Sequence, residues 1–95
     1  METTLYKNQT EELLIEASAK EKRNQLNEAI LLYETVISQN ETMYNAYLKL
    51  GALHEKMMDT EKAKDVYIKG LETAKFYQHK PAVLDLSYTL LGLLD

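Results

Sequence analysis

Residues 29–33 read AILLY and residues 63–67 read AKDVY, so an alanine and a tyrosine recur with the same spacing further along the chain. The same offset relates Ala17 to Gly51, which are both small residues. A fixed period of about 34 residues is typical of stacked helix pairs, because one helical hairpin of that size cannot bury its apolar face without neighbours. The repeat therefore predicts an all-α array of antiparallel helix pairs.

The composition agrees with one small helical domain spanning residues 1–95. The chain has one proline, three glycines and no cysteine, which favours helix and excludes a disulfide framework. No apolar stretch approaches the roughly 20 residues that cross a bilayer, and the N-terminus lacks the basic and apolar regions of a secretion signal. We therefore expect a cytoplasmic protein with no membrane partner.

Capping residues and apolar spacing predict where five helices begin and end. The first helix is expected to end before Asn24, a residue suited to a left-handed turn, and the second to span about residues 25–39. Thr42 and Asp59 are the predicted N-caps of the third and fourth helices. Pro81 fits the first turn of a fifth helix, where its missing N–H costs least.

Gly51 is predicted to lie in the middle of the third helix, where glycine costs about 1 kcal/mol relative to alanine. A close approach of a neighbouring helix would offset this cost. We expect Gly51 to face the small residue Ala63, as Ala17 would face Ala29.

The sequence resembles the tetratricopeptide repeat. Residues 47–54 read YLKLGALH and are followed by Ala63, Tyr67 and Gly70, which is similar to that family's order of an aromatic residue, Leu-Gly, an aromatic residue, alanine and an aromatic residue. The resemblance implies a right-handed α-solenoid. Its repeats would span about residues 10–43 and 44–77, with a partial third repeat or capping helix at about 81–95.

A third copy of the motif begins near the C-terminus. Residues 88–94 read YTLLGLL and resemble residues 47–53, but the interval from Gly51 to Gly92 exceeds the repeat period by close to two helical turns. The fifth helix is expected either to cap the array or to belong to a longer one.

The resemblance implies a protein-binding scaffold whose concave face is formed by the first helix of each pair. The implied peptide-binding residues are Glu11, Leu14, Ser18, Glu21, Asn45, Leu48, Ala52 and Glu55, with Leu86, Thr89 and Leu93 from the fifth helix. This mixture of apolar centres and acidic edges suits a peptide or partner helix with apolar anchors and basic flanks.

The charge is concentrated in the N-terminal half. The chain has a net charge of −4: residues 1–43 carry four basic residues and eight glutamates, whereas residues 44–95 carry seven lysines and seven acidic residues. An acidic half repels phosphate, which argues against a nucleic-acid partner. The glutamates form either a solvated helix face or a surface that steers a basic ligand.

The sequence contains no pattern typical of a catalytic, metal or cofactor site. His54 and His79 each lack a second ligand at helical spacing, so His54 is interpreted as a core residue and His79 as a solvated turn residue. Tyr33, Tyr47 and Tyr67 fall on apolar stripes, which favours core packing over stacking on nucleic-acid bases. We therefore expect a protein that is not an enzyme and that needs no cofactor.

The fifth helix is apolar around most of its circumference, although a helix at the end of an array normally keeps its outer face polar. We expect an exposed apolar patch made by Leu84, Tyr88, Leu91 and Leu94. Pairing through this patch gives the alternative function, a self-associating module that forms a twofold homodimer.

Overall fold

The computed structural model describes the backbone of residues 2–94 and the side chains of residues 9–94, and it contains five α-helices. The helices are α1 (Glu2–Lys22), α2 (Leu26–Gln39), α3 (Tyr44–Lys56), α4 (Thr60–Phe76) and α5 (Lys80–Leu94). No strand occurs between residues 2 and 94. The prediction of an all-α fold with five helices is confirmed.

The helices pack as successive neighbours, and α3 joins two halves of the core. Close packing is strongest for α1 with α2 and for α3 with α4, while α5 packs on α4 and α2 packs on α3. Leu50 of α3 belongs to one core cluster with Ala17 and Tyr33, whereas Tyr47 of α3 belongs to a second cluster with Leu86 of α5. The two faces of α3 therefore hold adjacent layers of the array together.

Three of the turns share one backbone motif. Asn24, Met58 and Gln78 each adopt a left-handed conformation, with φ of 63°, 64° and 58°. At the second turn the Met58 amide donates to the Glu55 carbonyl (2.9 Å), and the next amide donates to a carbonyl five residues back (2.8 Å). This Schellman arrangement satisfies the last helical carbonyls and reverses the chain within a few residues. The left-handed turn predicted at Asn24 is confirmed.

One of the two predicted N-caps is confirmed. Asp59 accepts a hydrogen bond from the Lys62 amide (Oδ1 to N, 3.2 Å), as expected for the start of α4. Thr42 does not cap α3, because its amide donates to Asn40 Oδ1 (3.1 Å) in the preceding turn and α3 begins only at Tyr44.

Gly51 lies against an aromatic ring. The three atoms nearest to a Cβ at Gly51 would be those of the Tyr67 ring, at separations too short for any real side chain. The arrangement is reciprocal, since a Cβ at Gly70 of α4 would lie 2.8 Å from Cγ of Tyr47 in α3. Thus α3 and α4 each contribute one glycine, which leaves a gap in the helix surface, and one tyrosine ring, which fills the glycine gap of the other helix. The expected facing of Gly51 with Ala63 stays a prediction.

The C-terminal copy of the motif does not reproduce this environment. Tyr88 is 72% exposed, whereas Tyr47 is 1% exposed. Gly92 has no atom within 4 Å of its Cβ position, whereas Gly51 is covered by Tyr67. The similarity between residues 88–94 and 47–53 is therefore one of sequence and not of packing.

Gly51→Ala should destabilise the protein by roughly 1–3 kcal/mol, because the added methyl group must displace the Tyr67 ring. Gly92→Ala is the matched control: it also replaces a helical glycine, but it adds the methyl group in open space. The control variant should be more stable than wild type by up to about 1 kcal/mol, because alanine has a higher helix propensity than glycine. Urea unfolding of both variants measures the difference, and equal stabilities would contradict the glycine–tyrosine packing.

Candidate functional site

The eight residues expected on the concave face of α1 and α3 all retain accessible surface. Glu11, Asn45, Ala52 and Glu55 are exposed, while Leu14, Ser18, Glu21 and Leu48 are half-buried. The two half-buried leucines rest against the core clusters, Leu14 on the first and Leu48 on the second. The surface consequently has apolar points that are anchored in the core and polar residues around them.

Glu21 and Glu55 are both engaged by tyrosines from the core. The Tyr33 hydroxyl donates to Glu21 Oε1 (3.2 Å), and the Tyr67 hydroxyl donates to Glu55 Oε2 (2.5 Å). Glu21 and Glu55 are one repeat period apart, and so are Tyr33 and Tyr67, so the same tyrosine–glutamate bond occurs in both helix pairs. Burial, reinforced by the neighbouring carboxylate, raises the pKa of Tyr33 to about 12 and also raises the pKa of Tyr67. These bonds tie the edge of the face to the core and occupy two of its carboxylates.

A groove of about 320 Å³ opens between α1 and α3. We call it the lysine groove, and its lining residues are Ser18, Glu21, Lys22, Asn24, Lys49 and Lys56. Among the described residues, none of its three lysines forms an ion pair. The three lysines outnumber Glu21, the one acidic residue in this lining, so the groove carries a net positive charge.

The lysine groove was not predicted from the sequence, which led us to expect acidic edges on this face. Lys22 and Lys56 are themselves one repeat period apart, at the C-terminal ends of α1 and α3. The repeat period therefore held the signal, because it places both lysines at the same point of successive helix pairs.

The fifth helix presents an apolar surface to solvent, although not through the residues expected on the concave face. Leu86 is fully buried, whereas Leu84, Tyr88, Leu91 and Leu94 are 58%, 72%, 58% and 66% exposed. Three of these four, at positions 84, 88 and 91, follow helical spacing on the side of α5 opposite Leu86. We call Leu84, Tyr88 and Leu91 the apolar row.

A larger cavity lies elsewhere, between α2 and α4, with a volume of about 620 Å³. Its floor contains the buried residues Tyr47 and Leu50, and Glu34, Glu41 and Lys69 line its opening. It lies between α2 and α4, the second helices of the two pairs, and against α3. No residue predicted to bind a partner lines this cavity.

His79 has a structural role that the sequence reasoning missed. Its Nδ1 accepts a hydrogen bond from the Ala82 amide (3.2 Å) at the start of α5, and the centroid of its ring lies 4.8 Å from that of the Tyr44 ring.

Tyr77 is held by a carboxylate of the loop before α3. Its hydroxyl donates to Glu41 Oε2 (2.6 Å), and this hydrogen bond raises the pKa of Tyr77.

The described residues contain neither a metal-binding cluster nor a membrane-spanning helix. Between residues 2 and 94, no group of three or more His, Cys, Asp or Glu side chains is placed to hold a metal ion. In the same part of the chain, none of the helices combines the length and the apolar character that crossing a membrane requires.

Solved structures with the same architecture identify the fold. A solution NMR structure of a tetratricopeptide repeat domain protein from Salinibacter ruber matches with a TM-score of 0.78 and 24% identity, covering 84% of this chain and 81% of that chain. A crystal structure of a tetratricopeptide repeat domain protein from the same organism matches with a TM-score of 0.72 and 24% identity, covering 84% and 89%. No family model and no curated protein matches the sequence. The chain therefore has the tetratricopeptide-repeat fold, as the resemblance of its sequence implied.

The folded protein should lose stability as the pH rises from 10 to about 12. The pKa of Tyr33 is 10.0 without the fold and about 12 in it, so the folded state retains a proton that the unfolded state releases. The stabilisation that the protonated Tyr33 contributes is complete below pH 10 and disappears as the pH passes through the pKa of Tyr33 in the folded state. Urea unfolding across this range measures the loss.

Tyr33→Phe should reduce this alkaline loss, because it removes the hydroxyl and keeps the ring. Tyr88→Phe is the control, since Tyr88 is exposed and lies outside the core. An alkaline loss of the same size in wild type and Tyr33→Phe would contradict the role given to the Tyr33–Glu21 bond.

Proposed function

We propose that this protein is a protein-interaction module that binds a peptide or a partner helix on its concave face, and that it is not an enzyme. The observation that carries the proposal is the arrangement of α1, α3 and α5. The first helices of successive pairs expose leucines, small residues and lysines side by side, and a groove runs between α1 and α3. Such a surface combines apolar anchoring points with polar groups that set orientation.

We further propose the repeat boundaries expected from the sequence, residues 10–43 and 44–77, with 81–95 as a capping helix or partial repeat. The repeated tyrosine–glutamate bond and the equivalent turns at Asn24 and Met58 support the first two units. Basic flanks on the partner stay a prediction that rests on the acidic edges of the concave face.

Ala52→Arg should abolish capture of the partner, because it places a long charged side chain in the middle of the proposed face. Thr35→Arg is the control, since it adds the same charge at an exposed position of α2, away from the face. Proteins retained from a lysate of the source cells by wild type and by Thr35→Arg, but not by Ala52→Arg, would support the proposal. Loss of the same proteins only with Thr35→Arg would place binding on the opposite side.

Self-association through α5 is a second candidate function, favoured by the exposure of Leu84, Tyr88, Leu91 and Leu94. Only Lys80 and Asp85 carry a charge at neutral pH among the side chains of α5, so two copies could meet there with little repulsion between charges.

Light scattering at tens of micromolar should then give twice the monomer mass of 11.0 kDa, because burying the apolar patch favours pairing. Leu91→Glu combined with Leu94→Glu should restore the monomer. A wild-type protein that is already monomeric would rule out the homodimer.

A further inference from the structure

The burial pattern of α5 shows how this helix aligns with α3. In α3 the third and seventh residues, Ala46 and Leu50, are buried, and in α5 the third and seventh residues, Ala82 and Leu86, are buried in the same way. The two helices therefore correspond from their first residues onward, and not through the alignment of Gly51 with Gly92 that their sequences suggest. In this register the apolar row of α5 takes the positions that Leu48, Ala52 and Glu55 hold in α3.

The apolar row thus continues the concave face, so that one surface extends over α1, α3 and α5. Two neighbouring residues of α3 connect the part of this surface beside α1 with the part beside α5. Lys49 lines the lysine groove with α1, and Leu48 packs against the core cluster that contains Ala82 and Leu86 of α5. Along this surface the character changes from positive, at the lysine groove, to apolar, at the apolar row.

The charge of this surface differs from the one that the sequence led us to expect. The basic flanks were inferred from acidic edges that include Glu21 and Glu55, but both carboxylates accept tyrosine hydroxyls. Lys22, Lys49 and Lys56 have no acidic partner within the described residues. Electrostatic complementarity therefore calls for negative charge on the bound segment.

We propose that the partner is an acidic amphipathic segment that binds across all three helices. Its leucine-like side chains lie on the apolar row, and its aspartate or glutamate side chains pair with the lysines of the groove. An apolar cover would remove the exposed row from water, and anions would pair with the three lysines, so one segment with both features complements the whole surface. This inference rests on the proposed function and adds the chemical class of the partner.

Two synthetic peptides with blocked ends test the inference on the full chain. Both carry leucines at every third or fourth position, and the residues between are glutamates in one peptide and lysines in the other. Fluorescence anisotropy of the labelled peptides measures their affinities. The glutamate peptide should bind more tightly, by about tenfold, because several exposed ion pairs of modest strength act together.

Two double variants assign this preference to the groove. Lys49→Glu with Lys56→Glu should reverse the preference between the peptides. Lys62→Glu with Lys64→Glu changes the net charge equally on α4, where both lysines already have acidic partners, and should leave the order of the affinities unchanged. A third double variant, Leu84→Ser with Leu91→Ser, should weaken both peptides, because it removes apolar contacts that do not depend on their charge.

The outcomes separate this inference from the proposed function. Equal affinities, or tighter binding of the lysine peptide to wild type, would overturn the inference and leave peptide binding on this face intact. Failure of both peptides to bind would overturn the inference, and the capture experiment with Ala52→Arg would then decide the proposed function independently. A wild-type dimer that persists at saturating peptide would assign the apolar row to a second copy and overturn the inference as well.

Discussion

The rest of the structure depends on the packing of tyrosine rings into glycine gaps between α3 and α4. Tyr67 covers Gly51 and Tyr47 covers Gly70, so neither helix could carry a larger side chain at its glycine without moving its neighbour. The contact draws the two helices together and directs the Tyr67 hydroxyl across α3 to Glu55. Packing in the core therefore determines which groups remain free on the exposed surface of α3.

The electrostatics of the proposed binding surface follow from this packing. Carboxylates counted from the sequence suggest an acidic face, but Glu21 and Glu55 are each held in place by a tyrosine hydroxyl. Lys22, Lys49 and Lys56 have no such partner among the described residues, and they line one groove. On α5 the same face becomes apolar at Leu84, Tyr88 and Leu91. A small repeat domain thus presents two kinds of chemistry on adjacent helices.

The features that follow the repeat period could be predicted from the sequence. These include the five helices, the buried tyrosines at 33, 47 and 67, and the turn at Asn24, because local spacing and backbone preference determine them. Contacts between helices could not be predicted in the same way. The residue that packs on Gly51 depends on the rotation of α4 about its axis. The alignment of α5 with α3 depends on which residues of α5 are buried, and the similarity of residues 88–94 to residues 47–53 suggests a different alignment. The lysine groove requires α1 and α3 to be adjacent, which residue types alone do not show.

Proton NMR of the folded protein tests the central packing claim most directly. The α-protons of Gly51 should lie against the Tyr67 ring, so they should show nuclear Overhauser contacts to its ring protons and a ring-current shift that disappears in Tyr67→Leu. The α-protons of Gly70 should show the corresponding contacts to Tyr47. Contacts from Gly51 to the Ala63 methyl group in place of the Tyr67 ring, with no ring-current shift, would contradict the account.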